Sequence, residues 1–251
     1  MQYRIETRIC QHIGARRMQQ DACGVSDQAA YSERGLMAVL SDGMGGMEAG
    51  ERFSQLAVRE MLDHFNQSQP QEDVCQTLRA AYQAAREKAL VMSEQEALDG
   101  GATVVSALVR EDGCAFLSVG DSRLYLLRGD GLILLNREHS LGALLDERAA
   151  LGLIPREEAE HNLRRGILTN NLCERSERPV DVSTTAFHLC PGDKLAMMSD
   201  GAFSALEPEE IAAFMAMPGV TGADALVEDV VGRQLPRQDN LSVLMLAILD
   251  A

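Results

Sequence analysis

The sequence predicts an α+β fold of layered sheets and helices, and three observations carry the prediction. Short apolar runs bounded by Gly, Asp or Asn recur through both halves of the 251-residue chain. Two of the connections, REDG at 110–113 and RGDG at 128–131, read as hairpin turns, because Asp-Gly suits the positive φ of tight turns; sequential hairpins imply antiparallel sheets. The strand runs are interrupted by pairs of helical patterns rather than alternating with single helices, which argues against repeated βαβ units.

In chain order, strands are expected at Tyr3–Arg8 and Gly35–Leu40. Phe53, Leu56, Ala57, Met61, Leu62 and Phe65 then mark one helical face, and Val74, Leu78, Ala81, Ala85, Ala89 and Met92 mark a second. Further strands are expected at Thr103–Arg110, Cys114–Val119, Arg123–Arg128, Leu132–Asn136, Asp181–His188, Lys194–Met198 and Leu241–Leu249. A helical pair precedes the last strand, Glu209–Met217 with Pro208 near its start and then Ala223–Gly232. Residues 137–179, with short helical patterns, Pro155 and many charges, read as an inserted segment beside the sheets.

Apolar residues make up 46% of the chain and charged residues 24%, enough for a substantial core. Twenty-three basic against 38 acidic residues leave a net charge of −15, which argues against general binding to nucleic acid or anionic membranes and is compatible with metal cations. The six cysteines are scattered without a CxxC pair, so free thiols in a reducing, cytoplasmic setting are expected. No apolar run approaches the ~20 residues that span a bilayer.

The stretch VLSDGMGG at 39–46 resembles a phosphate cradle, yet it fails both phosphate patterns. Gly45 and Gly50 have Walker A spacing but Glu51 and Arg52 follow, and a dinucleotide pattern starting at Gly43 meets Glu48. No G-x-S-x-G and no H-E-x-x-H occurs. What recurs instead is aspartate beside apolar runs. Asp42 and Asp200 both follow the order apolar strand, Ser, Asp, Gly, which places each at a strand end; Asp121 follows a further run, Asp239 precedes one, and Asp21 lies near a short early strand. A lone Asp-Gly is ordinarily a turn. Five such sites, two of them near-duplicates, suit hard cations, because carboxylates buried against strands need compensation. Two metals roughly 3.5–4 Å apart can activate a water for attack on phosphorus.

These motifs together resemble those of the type 2C, metal-dependent Ser/Thr protein phosphatases of bacteria. In order they are Arg16-x4-Asp21, DGMGG (42–46), GAT (101–103), GDSRLY (120–125), REHS (137–140), LTNNL (168–172), SDG (199–201) and DNLS (239–242). The resemblance implies an α/β/β/α sandwich of two antiparallel sheets flanked by helices, forming one catalytic domain over 1–251 with 137–179 as a flap. It further implies two Mn²⁺ or Mg²⁺ ions, with a third in some members. By matching positions, Asp42 would bridge both metals and the Gly43 carbonyl would bind one of them. Asp200 and Asp239 would bind the other, Asp21 would act through water, and Asp121 with Asp200 would take the third. Arg16 would hold the substrate phosphate, a role that suits its bidentate fork. The expected activity is hydrolysis of phosphoserine and phosphothreonine by a water or hydroxide bridging the metals, in a monomer acting on phosphoproteins and opposing a Ser/Thr kinase. Small stand-alone members do so, among others, for kinases that control type VI secretion. The alternative is a pseudophosphatase or phosphoprotein-binding module on the same fold. Two positions depart from the pattern: Gln19-Gln20 precedes Asp21, and Met44 stands where eukaryotic members often carry a histidine.

Overall fold

The computed structural model describes residues 3–27, 29, 31–45, 48–111, 113–176 and 178–250. Gly46 of the glycine stretch and Asp112 of the REDG turn lie outside them. In chain order the elements are β1 (Tyr3–His12), β2 (Asp21–Val25), α1 (Tyr31–Arg34), β3 (Leu36–Gly45), α2 (Glu48–Gln67), α3 (Val74–Gln95) and β4 (Gly100–Ala102). Next come β5 (Val104–Arg110), β6 (Gly113–Val119), β7 (Arg123–Arg128), β8 (Gly131–Leu134), α4 (Leu141–Ala150), α5 (Arg156–Glu160) and β9 (Asp181–Val182). The chain closes with β10 (Lys194–Met198), α6 (Asp200–Phe203), α7 (Pro208–Ala216), α8 (Gly222–Gly232) and β11 (Leu241–Asp250).

The strands form two antiparallel sheets. One has the order β1-β11-β10-β7-β8; the other runs β2-β3-β5-β6-β9, with β4 pairing on β3. Alternate side chains of each central strand serve different layers. On β3, Leu36, Ala38 and Leu40 face the opposite sheet, while Met37 and Val39 face α2 and α3. On β11, Leu244, Leu246 and Ile248 join the layer between the sheets, while Leu241, Val243 and Met245 pack under α7 and α8. Both faces of both sheets are therefore covered, giving the α/β/β/α sandwich. This is why the strands read as continuous apolar runs and not as apolar–polar alternation.

The helices follow from their patterns. Phe53, Ala57, Met61 and Phe65 of α2 and Val74, Leu78, Ala81, Ala85 and Ala89 of α3 are buried in one cluster. Asp73 caps α3, its carboxylate accepting from the Gln76 N–H at 3.0 Å. Pro208 opens α7 at its first turn, where a missing N–H costs nothing.

Several expected boundaries move. β3 runs on to Gly45 because β4 pairs with Gly43, Met44 and Gly45. Asp181–His188 shrinks to Asp181–Val182 and an isolated bridge at Phe187, because the Ser183 hydroxyl takes the Phe116 N–H that a longer ladder would use. β8 ends before Asn136, which turns inward to accept from the Leu124 N–H at 2.7 Å and donate to the Ser122 carbonyl at 2.9 Å. In RGDG the left-handed residue is Gly129, with φ +57°, ahead of the Asp-Gly pair. The six cysteines are free thiols. Among the described residues no helix is long and apolar enough to cross a membrane.

At the α7–α8 turn, a Cβ on Gly222 would fall 1.9 Å from the Phe214 carbonyl oxygen, whereas one on Gly232 meets nothing within 4 Å. Gly222→Ala should therefore destabilise the fold by about 1–3 kcal/mol. In calorimetry the midpoint should fall by several degrees for this variant and hold or rise for Gly232→Ala. An unchanged midpoint in Gly222→Ala would refute this packing.

Candidate functional site

Asp42 lies inside β3 and directly opposite Asp21, the first residue of β2. Its backbone is fixed on the other side by Thr103, which accepts from the Asp42 N–H at 2.9 Å and donates its own N–H to the Asp42 carbonyl at 2.8 Å. Asp42 thus projects from a paired strand and not from a strand end, unlike Asp200, which follows β10 as the first residue of α6. The resemblance between the two Ser-Asp-Gly stretches is one of sequence, not of local geometry. Asp121 sits in the β6–β7 turn after Gly120, whose φ of +98° and contact with Thr103 leave no space for a Cβ. Asp239 immediately precedes the buried Asn240, which leads into β11.

Two supports were not legible as such. The Asp21 Oδ2 accepts hydrogen bonds from Ser199 at 2.8 Å and Ser242 at 2.7 Å, side chains of the opposite sheet's end. Asn240 accepts from the Gln20 N–H at 2.8 Å and donates to the carbonyls of Ile13 at 2.8 Å and Met18 at 3.0 Å. It thereby pins the loop that carries Arg16, whose guanidinium is ion-paired with Asp239. Both serines and the asparagine lie in the SDG and DNLS stretches, each within three residues of an aspartate of the set. Gln19 accepts from the Asp21 N–H at 3.1 Å, so the glutamine at this position acts on backbone rather than adding charge.

The electrostatics follow from burying several carboxylates together. Asp42 is held well above the ordinary carboxylate range, by burial first and then by Asp21, Asp200, Asp121 and Asp239. Asp21 is pushed up to about 6 by burial, against the two serine hydrogen bonds and with the charges of Asp200 and Asp239. Asp121 is pushed up to about 7 by burial and then by Asp200 and Glu138. Asp200 is raised by burial and by Asp239, with Gly201, Arg16 and Asp42 acting the other way. Arg16 is the cation that acts on Asp200, and it leaves the carboxylates in excess.

A divalent cation fits this donor set on three counts. The buried Oδ1 atoms of Asp21 and Asp200 have no hydrogen-bond partner. Cβ atoms on Gly43 and Gly201 would meet the carbonyl oxygens of Gly50 and Asn240 at 2.1 Å, so backbone oxygens close in where side chains could not. Carboxylate and carbonyl oxygens are the ligands hard cations take. Among the described residues, however, no three carboxylate, histidine or cysteine side chains already stand as a closed ligand cage.

Beside Asp121 and Asp200, a cleft of about 690 Å³ opens towards α4, with Arg137, Leu144 and Phe203 in its walls. Arg123 braces that side: it pairs with Glu138 at 2.5 Å and stacks 3.9 Å over the Phe203 ring. A larger cleft of about 810 Å³, between the end of α3 and residues 171–175, holds none of the five aspartates. Residues 137–179 close on themselves at a neck. There Leu141 and Gly142 donate to the carbonyls of Ile167 and Arg165 at 2.8 Å, and His139 exchanges backbone contact with Gly120 and Thr169. His161 is exposed, and its ring bonds to the Glu157 carbonyl of its own helix at 2.9 Å.

The family profile described as "Protein phosphatase 2C" matches residues 10–225. The "Serine/threonine phosphatase stp" of Listeria innocua is 28% identical over 214 residues, 83% of each chain. The "Serine/threonine protein phosphatase PstP" of Mycobacterium tuberculosis is 30% identical over 229 residues, 90% of this chain and 42% of that longer protein. The crystal structure of the catalytic domain of PstP in complex with two manganese ions superposes with a TM-score of 0.79 at 25% identity, covering 98% of this chain and 99% of that one. With matching motifs, the same sandwich and the aspartates gathered at one end of it, the chain belongs to the protein phosphatase 2C family.

Proposed function

We propose that this chain hydrolyses phosphoserine and phosphothreonine in proteins, reversing the work of a Ser/Thr kinase, with two Mn²⁺ or Mg²⁺ ions held by Asp42, the Gly43 carbonyl, Asp200 and Asp239. Asp121 with Asp200 offers a third position. The observation that carries this reading is the convergence of buried and half-buried aspartates whose charges oppose one another and whose Asp21 and Asp200 Oδ1 atoms lack partners. Relatives named as Ser/Thr phosphatases, one of them crystallised with two manganese ions, support it. No aspartate of the set is replaced, so nothing favours a non-catalytic binding module.

When bound, the cations supply a water acidic enough to attack phosphorus at neutral pH and positive charge to meet the phosphate. The chain's own residues supply the rest. Asp42 is fixed from both flanking strands, so its carboxylate needs little reorganisation. Ser199 and Ser242 hold Asp21 by one oxygen and leave the other without a protein partner. Arg16 offers a planar fork of donors to the phosphate oxygens, and Asn240 fixes the loop from which it reaches. Met44 has no proton to give, so protonation of the leaving alkoxide falls to another group.

Asp42→Asn should abolish turnover of p-nitrophenyl phosphate and of a phosphothreonine peptide. Because the change removes a charge that its neighbours oppose, the metal-free thermal midpoint should hold or rise. Full activity in this variant would sink the assignment. A second expectation concerns pH. The native values near 6 for Asp21 and near 7 for Asp121 lie above the ordinary carboxylate value of about 3.9. Their contribution to metal-free stability is therefore complete below about pH 4 and is lost as pH rises through 6 and 7. Mn²⁺ competes with those protons, so the midpoint gain on adding it should be larger at pH 8 than at pH 5.5 in scanning fluorimetry; a gain independent of pH contradicts the reading. Third, Ser242→Ala removes one of the two donors to Asp21. It should weaken Mn²⁺ binding by roughly tenfold in titration calorimetry.

A further inference from the structure

The loop between α8 and β11 holds two left-handed residues that are not glycine, Gln234 at φ +50° and Arg237 at φ +63°. Such backbone costs on the order of 1 kcal/mol per residue and persists only where the surroundings fix it. Here they do. The neighbouring Gln238 donates its side-chain amide to the Gly201 carbonyl at 2.8 Å, donates its N–H to Leu235 at 3.2 Å, and accepts from the Ala15 N–H at 2.8 Å. The backbone at Arg237 is thus held from α6 on one side and from the Arg16 loop on the other.

Arg237 is exposed and lines a pocket of about 190 Å³ whose other walls include Asp200, Gly201, Ser204 and Asp239. Arg16 and Arg123 are each paired with a carboxylate, Asp239 and Glu138. Among the described residues Arg237 takes part in no ion pair, although it stands two positions from Asp239. Once Asp200 and Asp239 are committed to the cations proposed above, the charge left over in this pocket is positive. The volume suits one side chain or one phosphate group. On a chain of net charge −15, which repels acidic polypeptides in general, an arginine carried on held backbone at the rim of the site is a selective attraction.

We propose that Arg237 is a specificity-determining residue: it receives a second anionic group, a carboxylate or a second phosphate, on a residue flanking the phosphoresidue to be hydrolysed. The guanidinium fork matches both groups. The inference rests on the phosphatase reading.

The test compares phosphothreonine peptides that differ only in the flanking positions, which carry alanine, glutamate or phosphoserine. The wild type should show a higher kcat/KM for the glutamate or the phosphoserine peptide than for the alanine peptide, by about fivefold for an exposed pair, fading as salt is raised. Preference for only one of the two identifies the anion. In Arg237→Gln the preference should disappear and in Arg237→Glu it should invert, chiefly through KM. The side chain is exposed and makes no ion pair, so both variants should keep the wild-type thermal midpoint. A wild type that turns over the alanine peptide without any preference overturns this inference alone, as does a preference that survives in Arg237→Glu. A wild type that turns over none of the peptides with Mn²⁺ overturns the phosphatase reading and this inference with it.

Discussion

The Asp21 carboxylate, held at one oxygen by Ser199 and Ser242, is the contact on which the rest of the site depends. Asp21 begins β2 in one sheet, and the two serines belong to the end of β10 and the start of β11 in the other. Along most of their length the sheets meet through Leu40, Leu124, Leu195, Leu244 and their neighbours. At the site end that apolar layer gives way to carboxylates, which would push the sheets apart. Two neutral hydroxyl donors join them there without adding charge, and they do so at the residue directly opposite Asp42. The same contact therefore ties the two sheets at the site end, next to the central carboxylate.

Holding these aspartates together is costly. Asp21, Asp42, Asp121 and Asp200 are pushed above their ordinary range by burial and by neighbouring carboxylates, and charges of one sign in a weakly polar setting destabilise the folded state. The sandwich can carry that cost because three apolar clusters, one between the sheets and one beneath each helical layer, lie away from the site. Rigidity comes from close approach of backbone: Gly43 against Gly50 and Gly201 against Asn240 leave no slack in which the acidic end could relax. Stability is concentrated in the middle of the molecule and given up at one edge, as functional sites commonly require.

Much of this was legible in the sequence. The two-sided burial of the sheets gives long apolar runs, so β5, β10 and β11 are legible nearly to the residue, and the amphipathic faces of α2 and α3 are plain. The five aspartates stood out because carboxylates beside apolar strands demand an explanation. What escaped was whatever depends on a partner distant in the chain. β4, Gly100–Ala102, has no strand-like composition and exists because β3 pairs with it. Ser199, Ser242 and Asn240 gain meaning only once Asp21 and the 13–20 loop are brought against them. The short β9 fell below expectation for a related reason: a serine side chain satisfied the neighbouring strand before the backbone could.

The neck of residues 137–179 has a consequence of its own. The bridge between Ser140 and Leu168, with the Leu141–Ile167 and Gly142–Arg165 hydrogen bonds, closes residues 141–167 into a loop whose neck lies next to Gly120. The chain entropy of closing a loop rises only slowly with its length. A change of length between the paired ends therefore costs little in closure entropy. The neck thus fixes where the loop leaves and rejoins the sandwich, whatever the length of chain between its paired ends.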